Sequence, residues 1–135
     1  MSRIKHAVLL TAALAASACG GTSTATTPTP TPVTYVDAFN GTLNPNGAAS
    51  YPFTVSAAGL VYATLTTVSD SSLEIGLSLG TWNGTSCNVV LANDQATQGV
   101  TVTGSASGIG ILCVRVYDVG KVVTPPTYMV TVIHP

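Results

Sequence analysis

Leu73-Glu74-Ile75-Gly76-Leu77-Ser78-Leu79-Gly80-Thr81-Trp82-Asn83-Gly84-Thr85-Ser86-Cys87 and, further on, Leu112-Cys113-Val114-Arg115-Val116-Tyr117 decide the fold. Both flanks of this region, Leu73–Leu79 and Leu112–Tyr117, alternate apolar with small or polar side chains. Successive side chains on an extended chain point to opposite faces, so a period of two marks a half-buried strand. Two of the three cysteines, Cys87 and Cys113, lie in the region. It reads as the stapled middle of an all-β sandwich.

Working outward, eight strands are expected: Thr34–Asn40, Ala49–Ser56, Leu60–Val68, Ser72–Thr81, Cys87–Leu91, Val100–Thr103, Ile109–Asp118 and Thr127–His134. Asn40-Gly41, Asn46-Gly47 and Asn83-Gly84 supply the positive φ of tight turns. Ala58-Gly59, Gly104-Ser105, Gly108 and Pro125-Pro126 mark further breaks. Period two gives the inward faces. Val61, Ala63 and Leu65 face in from the third strand, and Leu73, Ile75, Leu77 and Leu79 from the fourth. Leu112, Val114 and Val116 do so from the seventh, and Tyr128, Val130 and Val132 from the eighth. Phe39, Tyr51 and Phe53 add aromatic bulk. Each such side chain stabilises by roughly 1.5–3 kcal/mol when fully buried.

Residues 1–18 read as an export signal. Arg3 and Lys5 form a positive start, and Ala7–Ala15 forms an apolar run too short to span a bilayer. Ser17-Ala18-Cys19 resembles the end of the lipobox of bacterial lipoprotein precursors. That resemblance implies acyl chains on Cys19, and more than one chain makes a stable membrane anchor. Ala16-Ser17-Ala18 also fits a plain secretory cleavage site, so secretion is the alternative. Residues 19–33 form the lipidated cysteine and a Thr/Pro-rich tether with no large apolar group before Val33. Alternating Thr-Pro favours an extended chain of ~3 Å per residue. Residues 34–135 form the sandwich. With Cys19 acylated, Cys87 and Cys113 are left to pair as a disulfide in an oxidising compartment.

Only 7% of residues are charged. Beyond the leader, Arg115 and Lys121 face five acids, a net charge of −3 with no basic patch to neutralise phosphates, so nucleic acid is not an expected partner. The exported part holds one histidine, His134, expected to be a solvated strand end. No catalytic triad is expected on it. The two cysteines are better used in a disulfide than on zinc. Glu74, the only glutamate, is expected on the polar face of a strand. Asp70, Asp94 and Asp118 should gather at the end opposite Val33 as a solvated rim. No catalytic residue, metal site or cofactor is expected. Trp82 is the candidate ligand contact. It reads as a lid on the core edge or, alternatively, as a sugar-stacking platform.

Phe39-Asn40-Gly41-Thr42-Leu43, Tyr51-Pro52-Phe53-Thr54-Val55, Leu112–Asp118 and Tyr128-Met129-Val130-Thr131-Val132 occur in the order seen in bacterial pre-peptidase C-terminal domains. The chain resembles that family over about Tyr35–Ile133. The resemblance implies an eight-stranded antiparallel jelly-roll-like β-sandwich and an accessory role beside a secreted peptidase or other hydrolase. The expected function is a non-catalytic cell-envelope lipoprotein, a binding or structural module on the exported side of a membrane. Carbohydrate binding through Trp82 and surface tyrosines is the alternative, and the partner is a protein or a glycan.

Overall fold

The computed structural model describes residues 20–21 and 24–135; the expected export signal of residues 1–18 and the expected lipidation site Cys19 lie outside the described residues. Two compact units divide the chain, Met1–Pro30 and Thr31–Pro135. The described part of the first is exposed and carries neither helix nor strand.

The second unit is a sandwich of eight strands: β1 (Tyr35–Thr42), β2 (Ala48–Val55), β3 (Gly59–Val68), β4 (Ile75–Trp82), β5 (Cys87–Ala96), β6 (Thr101–Ala106), β7 (Gly110–Tyr117) and β8 (Thr127–His134). One sheet has the order β1-β8-β3-β6 and the other β2-β7-β4-β5. Four of the antiparallel pairs, β1–β8, β2–β7, β3–β6 and β4–β5, nest inside one another along the chain. This nesting, folded across two sheets, is the jelly roll.

The core follows the expected alternation. Val61, Ala63 and Leu65 meet Ile75, Leu77 and Leu79 across the layer, joined by Val114, Val116, Val130 and Val132, all buried. Phe39 stacks on Tyr51 with ring centroids 4.9 Å apart. Tyr128 donates to Tyr51 Oη at 2.7 Å, and Tyr51 donates to the Asn40 carbonyl at 3.2 Å.

Two glycines expected to break strands lie inside them. Gly41 pairs with Tyr128 in β1, where a Cβ would come within 2.8 Å of both the Tyr51 and the Tyr128 hydroxyl. Its lack of a side chain seats the two phenols. Gly104 lies within β6, under the Leu91 and Leu79 side chains. The true turn positions are Asn46, at φ 57°, and Gly84, Gly99 and Gly120. β5 runs on past Leu91 to Ala96 because its polar segment Asn93-Asp94-Gln95 occupies a sheet edge, where polar side chains keep their water.

β4 is buried on both faces except at its end. Its inner side chains are Ile75, Leu77 and Leu79; its outer ones are Gly76, Ser78 and Gly80. The Tyr117 ring covers Gly76, and the backbone of Asn88 passes over Gly80. Cys87 pairs opposite Trp82 and Cys113 opposite Gly80, so both cysteines flank β4. The expected Cys87–Cys113 disulfide is formed, with Cα atoms 5.8 Å apart.

Candidate functional site

Strands that reverse at every step sort the loops to two ends. The chain enters β1 beside Val33, and His134 closes β8 opposite Tyr35. The turns after β2, β4 and β6 share this end. The loops after β1, β3, β5 and β7 share the other.

The far end holds a polar cleft of about 320 Å³, lined by Ser69, Asp70 and Leu73 from one loop and Lys121, Val123, Thr124, Pro125 and Pro126 from another. Asp118 ties this end together. Its Oδ1 accepts the amides of Gly120, Lys121 and Val122 at 2.8–3.0 Å, and its Oδ2 accepts that of Asn46 at 2.8 Å. These donors, Asn46 first, hold its carboxyl below the usual aspartate range. Asp70 is lowered in the same way by the hydroxyl and amide of Ser72. Glu74 is not a bare solvated carboxylate on a strand face: it precedes β4 and forms an ion pair with Lys121, which lines the cleft. Asp94 lies in β5 and accepts the Tyr117 hydroxyl. Burial and that bond push the phenol up to about 12.

The expected gathering of Asp70, Asp94 and Asp118 opposite Val33 is thus present, though Asp94 belongs to a strand. Among the described residues no group of three or more His, Cys, Asp or Glu could hold a metal ion. The Asp118 oxygens are already occupied by amide donors.

The near end is apolar. A groove of about 180 Å³ runs between the free edges of β5 and β6, lined by Leu79, Thr81, Val90, Leu91, Gly104 and Leu112 among others. Trp82 stands beside it on the outer face, partly exposed and opposite Cys87. It is not part of the core cluster or packed against it, so it is no lid on the core. Alternation along β4 explains this, since Leu79 and Thr81 take the inner side.

His134 is not a solvated strand end. It is 3% exposed, with Nε2 3.1 Å from Asp37 Oδ2, and lies between the Tyr35 and Phe53 rings at 5.9 and 5.0 Å. The signal for this was present. His134 continues the inward set Tyr128, Val130, Val132, and Asp37 continues the inward set of β1, so an inward carboxylate meets an inward imidazole. Among the described residues the ring's other hydrogen-bond partner is the Pro135 carbonyl, so no nucleophile is bonded to this pair. No protein-family model matches the chain, and no curated protein matches it in sequence.

Proposed function

We propose that this chain is a non-catalytic cell-envelope module, anchored to a membrane by acyl chains on Cys19, whose jelly-roll domain presents its polar cleft to an external protein or glycan. Three sequence features support the anchor: the lipobox-like Ser17-Ala18-Cys19, the Thr/Pro tether, and a cystine that uses the other two cysteines. The observation that carries the reading is the opposition of the two ends. The tether joins at Val33, and the cleft of Asp70 and Lys121 opens at the far end, so an anchored domain turns that cleft outward. Intact-mass analysis of the membrane-extracted protein tests it. The expected mature chain starts at Cys19 with the added mass of acyl chains. A soluble chain with a free Cys19 thiol overturns the anchor.

Trp82 favours a second reading, glycan binding, because its partly exposed ring lies outside the core on the outer face. A glycan array with the native chain and Trp82→Ala separates the two. Loss of a defined glycan signal in the variant supports the second reading; no signal with either protein removes it.

A further inference from the structure

The exposed apolar side chains are not scattered. Val36 and Ile133 are paired on the outer face of the β1-β8-β3-β6 sheet, and Tyr62 pairs with Ile133 from the other side. Leu60 is two residues nearer the strand start. Ile109 and Ile111 flank the start of β7, and Val89 and Val90 lie near the start of the β5 edge. Val36 is 63% exposed, Val90 69% and Ile109 83%. Each of these side chains is within three residues of the strand terminus at the end where Val33 enters, a depth of ~10 Å at ~3.3 Å per residue. In the far half, Val123 is the only large apolar side chain this exposed among the described residues.

Charge is distributed the other way. Asp70, Glu74, Asp94, Arg115, Asp118 and Lys121 lie in the far half. At the near end the ionisable pair is Asp37 and the buried His134, bonded to each other. The result is a collar of aliphatic side chains with Tyr35, Tyr62 and Trp82 among them. Aromatic rings with one polar atom suit the boundary between lipid tails and headgroups. Amphipathic elements that bind that boundary bury their apolar side ~5–10 Å deep, which matches the depth of the collar.

We propose that the near end of the sandwich is a membrane-docking surface: the collar around Val33 seats in the outer layer of a lipid bilayer and holds the domain upright on it. The occupant is a bilayer because this is the end through which the chain runs back toward Cys19. In this respect the proposal rests on the anchored reading. Among the described residues no Lys or Arg lies at the collar, so docking is driven by apolar burial. It therefore needs no anionic lipid and is insensitive to salt.

The test uses the full mature chain in two forms. The first is Cys19→Ser, which removes any acyl anchor. It is expected to float with zwitterionic phosphatidylcholine vesicles equally at low and high salt. Val36→Asp combined with Ile109→Asp, at two exposed positions, should weaken binding about tenfold or more, while Val123→Asp at the far end should not. The second form is the native protein in vesicles of brominated lipid. Trp82 is the only tryptophan, and its emission should shift to the blue and be quenched, with the double variant reversing both. A protein that stays on vesicles through its anchor while Trp82 is unquenched overturns the docking surface. So does failure of Cys19→Ser to float, or a dimer in lipid-free sedimentation that the double variant abolishes, since the collar would then cover a second copy. Absence of acyl mass overturns the anchor alone, because the first arm does not use it.

Discussion

Asp118 shows how one side chain can organise a loop. A carboxylate accepting four amide protons takes the place of the carbonyls that a regular strand would offer. Asp118→Ala leaves those amides to water and leaves the loop after β7 joined to the one after β1 only through backbone bonds such as Asp118 N–H to the Gly47 carbonyl. It should lower stability by about 1–2 kcal/mol in urea unfolding. The pH dependence has a definite sign. A carboxyl held below its ordinary value contributes fully above about pH 4 and loses the contribution as pH falls through its folded value. Asp118 and Asp70 act in the same direction. The urea midpoint should therefore drop from pH 5 toward pH 2, and less steeply in Asp118→Ala. Tyr117 has the opposite sign. Its phenol is raised to about 12, so its contribution is present below about pH 10 and is lost as pH rises from there. Tyr117→Phe should flatten that alkaline loss.

At the scale of the element, β4 is the strand with the least room. A Cβ on Gly76 would lie 2.2 Å from the Tyr117 ring, and one on Gly80 would lie 2.1 Å from the Asn88 carbonyl oxygen. Overpacking of this kind costs ~1–3 kcal/mol. Gly80→Ala should cost more than Gly76→Ala, because a backbone cannot rotate away as a ring can. Gly110→Ala, where nothing lies within 4 Å, should change stability little. Thermal melts of the three variants check the order. These same residues mark what was legible in the chain. The inward faces of β3, β4, β7 and β8 were readable because period two is a local property. The small residues at 76, 78 and 80 were visible as a pattern, but their reason was not, since Tyr117 and Asn88 come from other strands. Gly41 and Gly104 looked like breaks because Gly is a turn residue in isolation. Here their partners are the phenols of Tyr51 and Tyr128 and the side chain of Leu91. The bulges in β5 depend on pairing with β4 and leave no local trace. Trp82 reads as a lid on the core edge from its neighbours alone; that it stands outside the core, beside a groove, required the relative placement of β4, β5 and β6.

At the scale of the whole molecule, Cys87 and Cys113 link the two strands that flank β4. They are 26 positions apart, and closing a loop of that size stabilises by roughly 3.5 kcal/mol in the chain-entropy model. Reduction should lower the unfolding midpoint accordingly, and thiol labelling of the unfolded, unreduced domain should find neither Cys87 nor Cys113 reactive. The nesting of strand pairs also orders events in time. β4 and β5 are joined by a turn of four residues, Asn83–Ser86, whereas Tyr35 finds its partner in His134 at the other extremity of the domain. Joining distant segments costs more chain entropy, and domains dominated by such pairings fold in milliseconds to seconds. Assembly should then run from the innermost hairpin outward, with β1 docking last and leaving first. In pulsed hydrogen exchange during refolding, the amides of Leu77 and Leu79 should be protected before those of Asp37 and Phe39. Simultaneous protection would mean that the roll closes in one step.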